Sequence, residues 1–80
     1  MVPFKSRVRA RHLDQFDGWV RHEGEELLLV LEGDVVVYTE EYEPLPLSEG
    51  DSTYFDSTMG HAVVSTSKED ALVLWVCVAQ

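Results

Sequence analysis

The sequence predicts an all-β domain, a small sandwich or barrel, on three observations. Runs of β-branched and aromatic residues recur along the chain. A turn signal built on Gly or Pro separates them at intervals of about eight to twelve residues. No segment carries helical periodicity long enough to bury a face, and there is no repeat, linker or low-complexity tract. The 80 residues make one domain, 1–80.

The elements follow in order. Val2–Ala10 alternates with period two, placing Phe4, Ser6, Val8 and Ala10 on one face and Lys5, Arg7 and Arg9 on the other. Asp17-Gly18 marks a turn. Glu26–Leu31 is an apolar run closed by Glu32-Gly33-Asp34, and Val35–Tyr38 follows at once, which predicts a hairpin. Pro44 and Pro46 lack ladder donors, so Tyr42–Leu47 reads as an edge strand or a wide connection. After the turn Glu49-Gly50-Asp51 come the strand Ser52–Phe55, a loop over Ser57–Gly60 and the strand His61–Ser65. A polar turn, Ser67–Asp70, then leads into the last strand, Ala71–Ala79.

Composition narrows the function classes. With 45% hydrophobic and 26% charged residues the chain is globular. Its net charge of −9 repels phosphate backbones, so no direct nucleic-acid binding is expected. The charge is split: residues 1–21 hold five bases and two acids (+3), and residues 22–80 hold one base and thirteen acids (−12). The basic stripe Lys5, Arg7, Arg9 and Arg11 is therefore expected to pair with Glu40, Glu41 and Glu43, in this subunit or in a second copy, rather than to grip a nucleic acid or an anionic ligand. The single cysteine, Cys77, forms no internal disulfide. No signal-peptide pattern or long apolar run is present, so a cytoplasmic protein with no membrane partner is expected.

Leu27–Leu31 and Ala71–Ala79 are apolar on both parities, whereas a two-layer sheet buries one face of each strand. The second face would form an oversized exposed patch, which a second copy of the chain would cover as a homodimer.

Three side chains carry metal-ligand chemistry. His22 and Glu26 flank His-Glu-Gly-Glu-Glu at the start of the long apolar strand, and His61 opens another strand. Two imidazoles with one carboxylate form a facial triad suited to non-haem iron(II), or to zinc with an open position. The alternative is a metal-free polar cluster lining a pocket. Imidazoles must be neutral to bind a metal, so affinity should fall below about pH 6. Tyr54, Met59 and Trp75, with Trp19 and Phe55, are candidates for the pocket walls. Cys77 in its apolar strand reads as a small hydrophobe rather than a nucleophile, Ser57 and Thr58 as turn residues, and His12 as a surface residue.

At these residues the chain resembles the cupin superfamily. A His and Glu followed by Gly falls on His22, Glu26 and Gly33, and a Gly leading to a His falls on Gly50 and His61. More closely, Val20–Glu26, Val30–Gly33, Gly50–His61 and Leu74–Cys77 resemble the C-terminal cupin domain of XRE-type helix-turn-helix regulators. The resemblance implies a small, dimeric double-stranded β-helix or jelly-roll-like barrel. It implies binding of a small-molecule effector on behalf of a transcription regulator. It also admits a metal-dependent cupin enzyme of isomerase or dioxygenase type, with His22, Glu26 and His61 holding zinc, nickel, iron or manganese. The chain departs from the pattern at Val20 (a fourth ligand histidine in the family), at Asp56 (commonly proline) and at Thr58 (commonly glycine). The helix-turn-helix is absent from these residues.

Overall fold

The computed structural model describes residues 1–78. It contains seven strands: β1 (Val2–Val8), β2 (Glu25–Glu32), β3 (Val35–Thr39), β4 (Leu45–Leu47), β5 (Ser52–Asp56), β6 (His61–Ser65) and β7 (Ala71–Val78). The only helical element among the described residues is one 3-10 turn, Leu13–Gln15. Residue 79 of the expected last strand lies outside the described residues. The strands form two antiparallel sheets, ordered β1-β7-β2-β5 and β4-β3-β6.

This topology corrects the expected hairpin. β2 does not pair with β3, because β7 and β5 occupy both of its edges, while β4 and β6 occupy both edges of β3. The turn at Gly33 instead carries the chain from one sheet to the other. Gly33 has φ +83°, and a Cβ there would meet Ala71 Cα at 3.2 Å and Ser67 Oγ at 2.6 Å. Only glycine meets both demands.

The core lies between the sheets and follows strand parity. Leu28, Val30, Ala71 and Val73 from the larger sheet meet Val35 and Val37 from the smaller one, all buried. On the opposite face of the larger sheet, Leu27, Leu29, Leu72, Leu74 and Val76 are only half-buried. β1 extends the sheet beside β7, in register from Val2↔Cys77 to Val8↔Ala71, and so does not cover that face.

The basic stripe also meets different partners. Arg7 lies 3.5 Å from Glu32, and Arg11 pairs with Asp70 at 2.9 Å and donates to the carbonyl of Lys68. Within the chain none of these pairs involves Glu40, Glu41 or Glu43, because β1 runs along β7 and the Ser67–Asp70 turn. Among the described residues no helix is long and apolar enough to cross a membrane.

Candidate metal centre

The triad assembles at one end of the sandwich from three separate segments. Glu26 is the second residue of β2 and shares the inward parity of Leu28 and Val30. It stands between Phe55 of β5 and Cys77 of β7 in the ladder. His61 is the first residue of β6, in the other sheet. His22 lies on the connection entering β2, held by a bond from its N–H to the Ser57 carbonyl (2.9 Å). Gly24, at φ +105°, kinks the chain between His22 and Glu26 while it keeps running alongside the Ser52–His61 segment. Val20 and His61 exchange two backbone hydrogen bonds, at 3.2 and 3.1 Å, which join the two histidine-bearing segments.

Three potential ligand atoms converge at that point. His61 Nδ1 lies 2.9 Å from the Met59 carbonyl and His22 Nδ1 3.3 Å from the Glu23 carbonyl. A carbonyl only accepts, so Nδ1 is the donor in each contact, and each Nε2 is directed at Glu26 Oε1, at 2.5 Å from His22 and 3.1 Å from His61. Protons on the Nε2 atoms would satisfy these two contacts as hydrogen bonds, and a divalent cation would engage all three groups at once. Ligands about 2.1 Å from a metal and at right angles stand about 3 Å apart, close to the His61–Glu26 spacing, whereas His22 at 2.5 Å from Glu26 would have to draw back to admit an ion. The three donor atoms lie within 4.8 Å of one another, and the cluster fits a divalent metal. Glu26 and His61 are buried, while the His22 side chain is 42% exposed, which leaves one side of the site open.

Surrounding groups fix the donors. Ser57 Oγ donates to Glu26 Oε1 at 3.1 Å, and the Cys77 thiol faces Oε2 at 3.7 Å. The Phe55 ring packs on His61 with centroids 4.9 Å apart. Thr58 donates through its N–H and hydroxyl to Asp56 Oδ1, at 2.9 and 2.8 Å. These bonds hold the Asp56 carboxyl below the usual range and organise the loop where the family commonly has proline and glycine. Burial, then the neighbouring Glu26, pushes the Cys77 thiol up, so it is not a ready nucleophile.

A second clip joins the residues preceding each histidine. Arg21 grips the Glu40 carboxylate with both guanidinium nitrogens, and Glu40 Oε1 accepts the Gly60 N–H at 2.7 Å. The Arg21 bond, then the Gly60 N–H, lowers the Glu40 pKa from its ordinary 4.5. Its contribution to stability is therefore whole above that ordinary value and is lost as pH falls through the lower, folded-state value. Melting of wild type and Glu40→Gln from pH 7 to pH 3 is expected to give a Tm gap that closes below about pH 4.5. A gap independent of pH contradicts this.

A cavity of about 340 Å³ opens above the triad, walled mainly by Val8, Phe16, Val20, Val63 and Trp75, with Ser6, Arg7 and Arg9 also on its lining. Thus His22, Glu26, His61 and Trp75 of the expected pocket line one space. Tyr54 and Met59 do not. Tyr54 sits opposite Leu27 on the outward parity, 59% exposed, with its hydroxyl bonded to Glu25. Met59 packs against the core and reaches the site only through its carbonyl. Trp19 is 38% exposed and lies beside Gly60, and His12 is exposed at the 3-10 turn. Sequence reasoning missed Ser57 and Cys77 as neighbours of the carboxylate. The inward parity of Val73, Trp75 and Cys77 was the available signal for the latter.

Two packed antiparallel sheets, with a cluster of two imidazoles and one carboxylate at an open end, define a small β-barrel domain of metal-binding type. The chain belongs to the cupin family: the cupin-domain family model matches residues 14–77. Among solved structures it is similar to hydroxypropylphosphonic acid epoxidase from S. wedmorenis in complex with fosfomycin (25% identity, TM-score 0.81). That match covers 96% of this chain and 43% of the epoxidase chain. Fe(II) HppE gives 25% identity and a TM-score of 0.82 over 96% of this chain and 43% of that one. Protein NMB1881 from Neisseria meningitidis shares the fold at 20% identity and a TM-score of 0.72, covering 95% of this chain and 72% of that protein. The chain thus spans less than half the length of the epoxidase chains it matches. No curated protein matches the sequence.

Proposed function

We propose that this cupin domain binds a small molecule in its cavity, over a divalent metal held by His22, Glu26 and His61. The observation that carries the reading is the convergence of three lone-pair donors at the floor of an apolar-walled space of about 340 Å³. The ligand class that suits it has a compact apolar body and one oxygen-bearing group turned toward the triad. Val8, Phe16 and Trp75 shed water from that body, while the Nε2 atoms and Glu26 Oε1 hold the ion. When bound, the metal supplies Lewis-acid polarisation of a ligand oxygen and, as iron, redox chemistry. The sequence resemblance supports effector sensing for a cytoplasmic transcription regulator, with no nucleic-acid contact by this domain itself. The half-buried face of Leu27, Leu29, Leu72, Leu74 and Val76 supports a homodimer, in which a second copy covers it.

A metal-dependent enzyme is the second reading. It is favoured by the exposed side of the site at His22, and by the likeness to Fe(II) HppE. Elemental analysis of purified protein, followed by thermal-shift screening of metabolites, separates the two. Stoichiometric metal together with turnover favours the enzyme, and ligand-induced stabilisation without turnover favours the sensor. Absence of both metal binding and ligand stabilisation overturns the proposal. Sedimentation at micromolar concentration is expected to give a dimer, and Leu74→Lys a monomer. A wild-type monomer refutes the covered face.

A further inference from the structure

We infer that Ser57 is a positioning residue that sets the geometry of the metal centre; this rests on the metal-centre reading above. Ser57 is fully buried in the loop after β5, although its small polar side chain suits an exposed turn equally well. Its hydroxyl donates to Glu26 Oε1 (3.1 Å), its carbonyl accepts the His22 N–H (2.9 Å), and its own N–H donates to the Gly24 carbonyl (3.0 Å). One residue thus holds both ends of the His22–Glu26 segment and the glycine between them. The hydroxyl matters separately from the backbone bonds. A carboxylate oxygen has two lone pairs, and the Ser57 proton occupies one of those on Oε1. The other is left facing the two imidazoles. With the Cys77 thiol at Oε2, the carboxylate has a donor on each oxygen and is steered toward binding through Oε1 alone. Groups that orient a metal-bound carboxylate typically change affinity by about 10–100-fold when removed.

The test is Co(II) titration of metal-free wild type and Ser57→Ala, followed by visible absorption. The substitution deletes one oxygen, adds no bulk and leaves both backbone bonds in place. Weakening by about 10–100-fold, with a shifted cobalt spectrum, is the expected result. A merely structural role would lower Tm and leave affinity and spectrum unchanged, and that result overturns the inference while leaving the proposed function standing. If wild type itself takes no cobalt, the metal reading fails, and the inference is judged on metal-free protein. The imidazole nitrogen NMR shifts of His22 and His61, at one fixed pH, are then expected to change in Ser57→Ala as the carboxylate turns away. Unchanged shifts overturn it.

Discussion

Replacing His61 with alanine is expected to abolish stoichiometric metal binding. Four-ligand structural zinc sites yield about 10–16 kcal/mol, or about 3 kcal/mol per ligand, so one lost donor weakens binding by more than about a hundredfold. The loss here is expected to exceed that share, because the family's fourth ligand position is already Val20. Of the two imidazoles, the buried Glu26 carboxylate then keeps only His22, the exposed member of the pair. His61 itself is buried against Phe55, so the truncation also leaves a void, and metal-free stability must be measured beside affinity. Isothermal titration with zinc or cobalt checks the prediction. Binding within tenfold of wild type would show that His61 is not a ligand.

The largest effect on stability is expected from Leu28→Ala. Leu28 is wholly buried, two residues beyond Glu26 on the same inward parity, and Thr53 and Trp75 flank it in the ladder. Truncating a buried leucine costs about 2–5 kcal/mol. A domain of this size shifts its Tm by about 4–8 °C per kcal/mol, so a fall of about 8–40 °C is expected. Thermal or urea unfolding of metal-free protein measures it. Leu27→Ala, one residue earlier on the half-buried face, should cost far less in the isolated chain. Equal costs at the two positions would contradict the parity that aims Glu26 inward.

Strand content and the three ligands were legible because they rest on local signals. Period-two alternation predicts a strand over Val2–Ala10, where the structure has Val2–Val8, and Pro44 and Pro46 mark Tyr42–Leu47 as an edge strand or a wide connection, where the structure has an outer strand over Leu45–Leu47. His22, Glu26 and His61 stand out because few residue types bind metals. The Gly33 turn misled for a physical reason. A short glycine turn between two β runs has the same sequence whether the second strand folds back beside the first or crosses to another layer. Which occurs is decided by distant strands, here β5 and β7 claiming the edges of β2. Within one chain the partners of Arg7 and Arg11 differ from Glu40, Glu41 and Glu43 for the same reason, since charge pairing follows strand order. Tyr54 was misplaced by a single-residue ambiguity of parity, which its register with Leu27 settles. Ser57 had no distinguishing signal, because a buried serine and a turn serine look alike until the loop around them is folded.

The corner at Gly33 has one more effect. Since Glu26 rides on one layer and His61 on the other, a cation held by both would tie the two layers together at the mouth of the sandwich. Prising the layers apart would then release it, so that unfolding and unloading would be a single event and metal in the medium would set how much heat the protein survives.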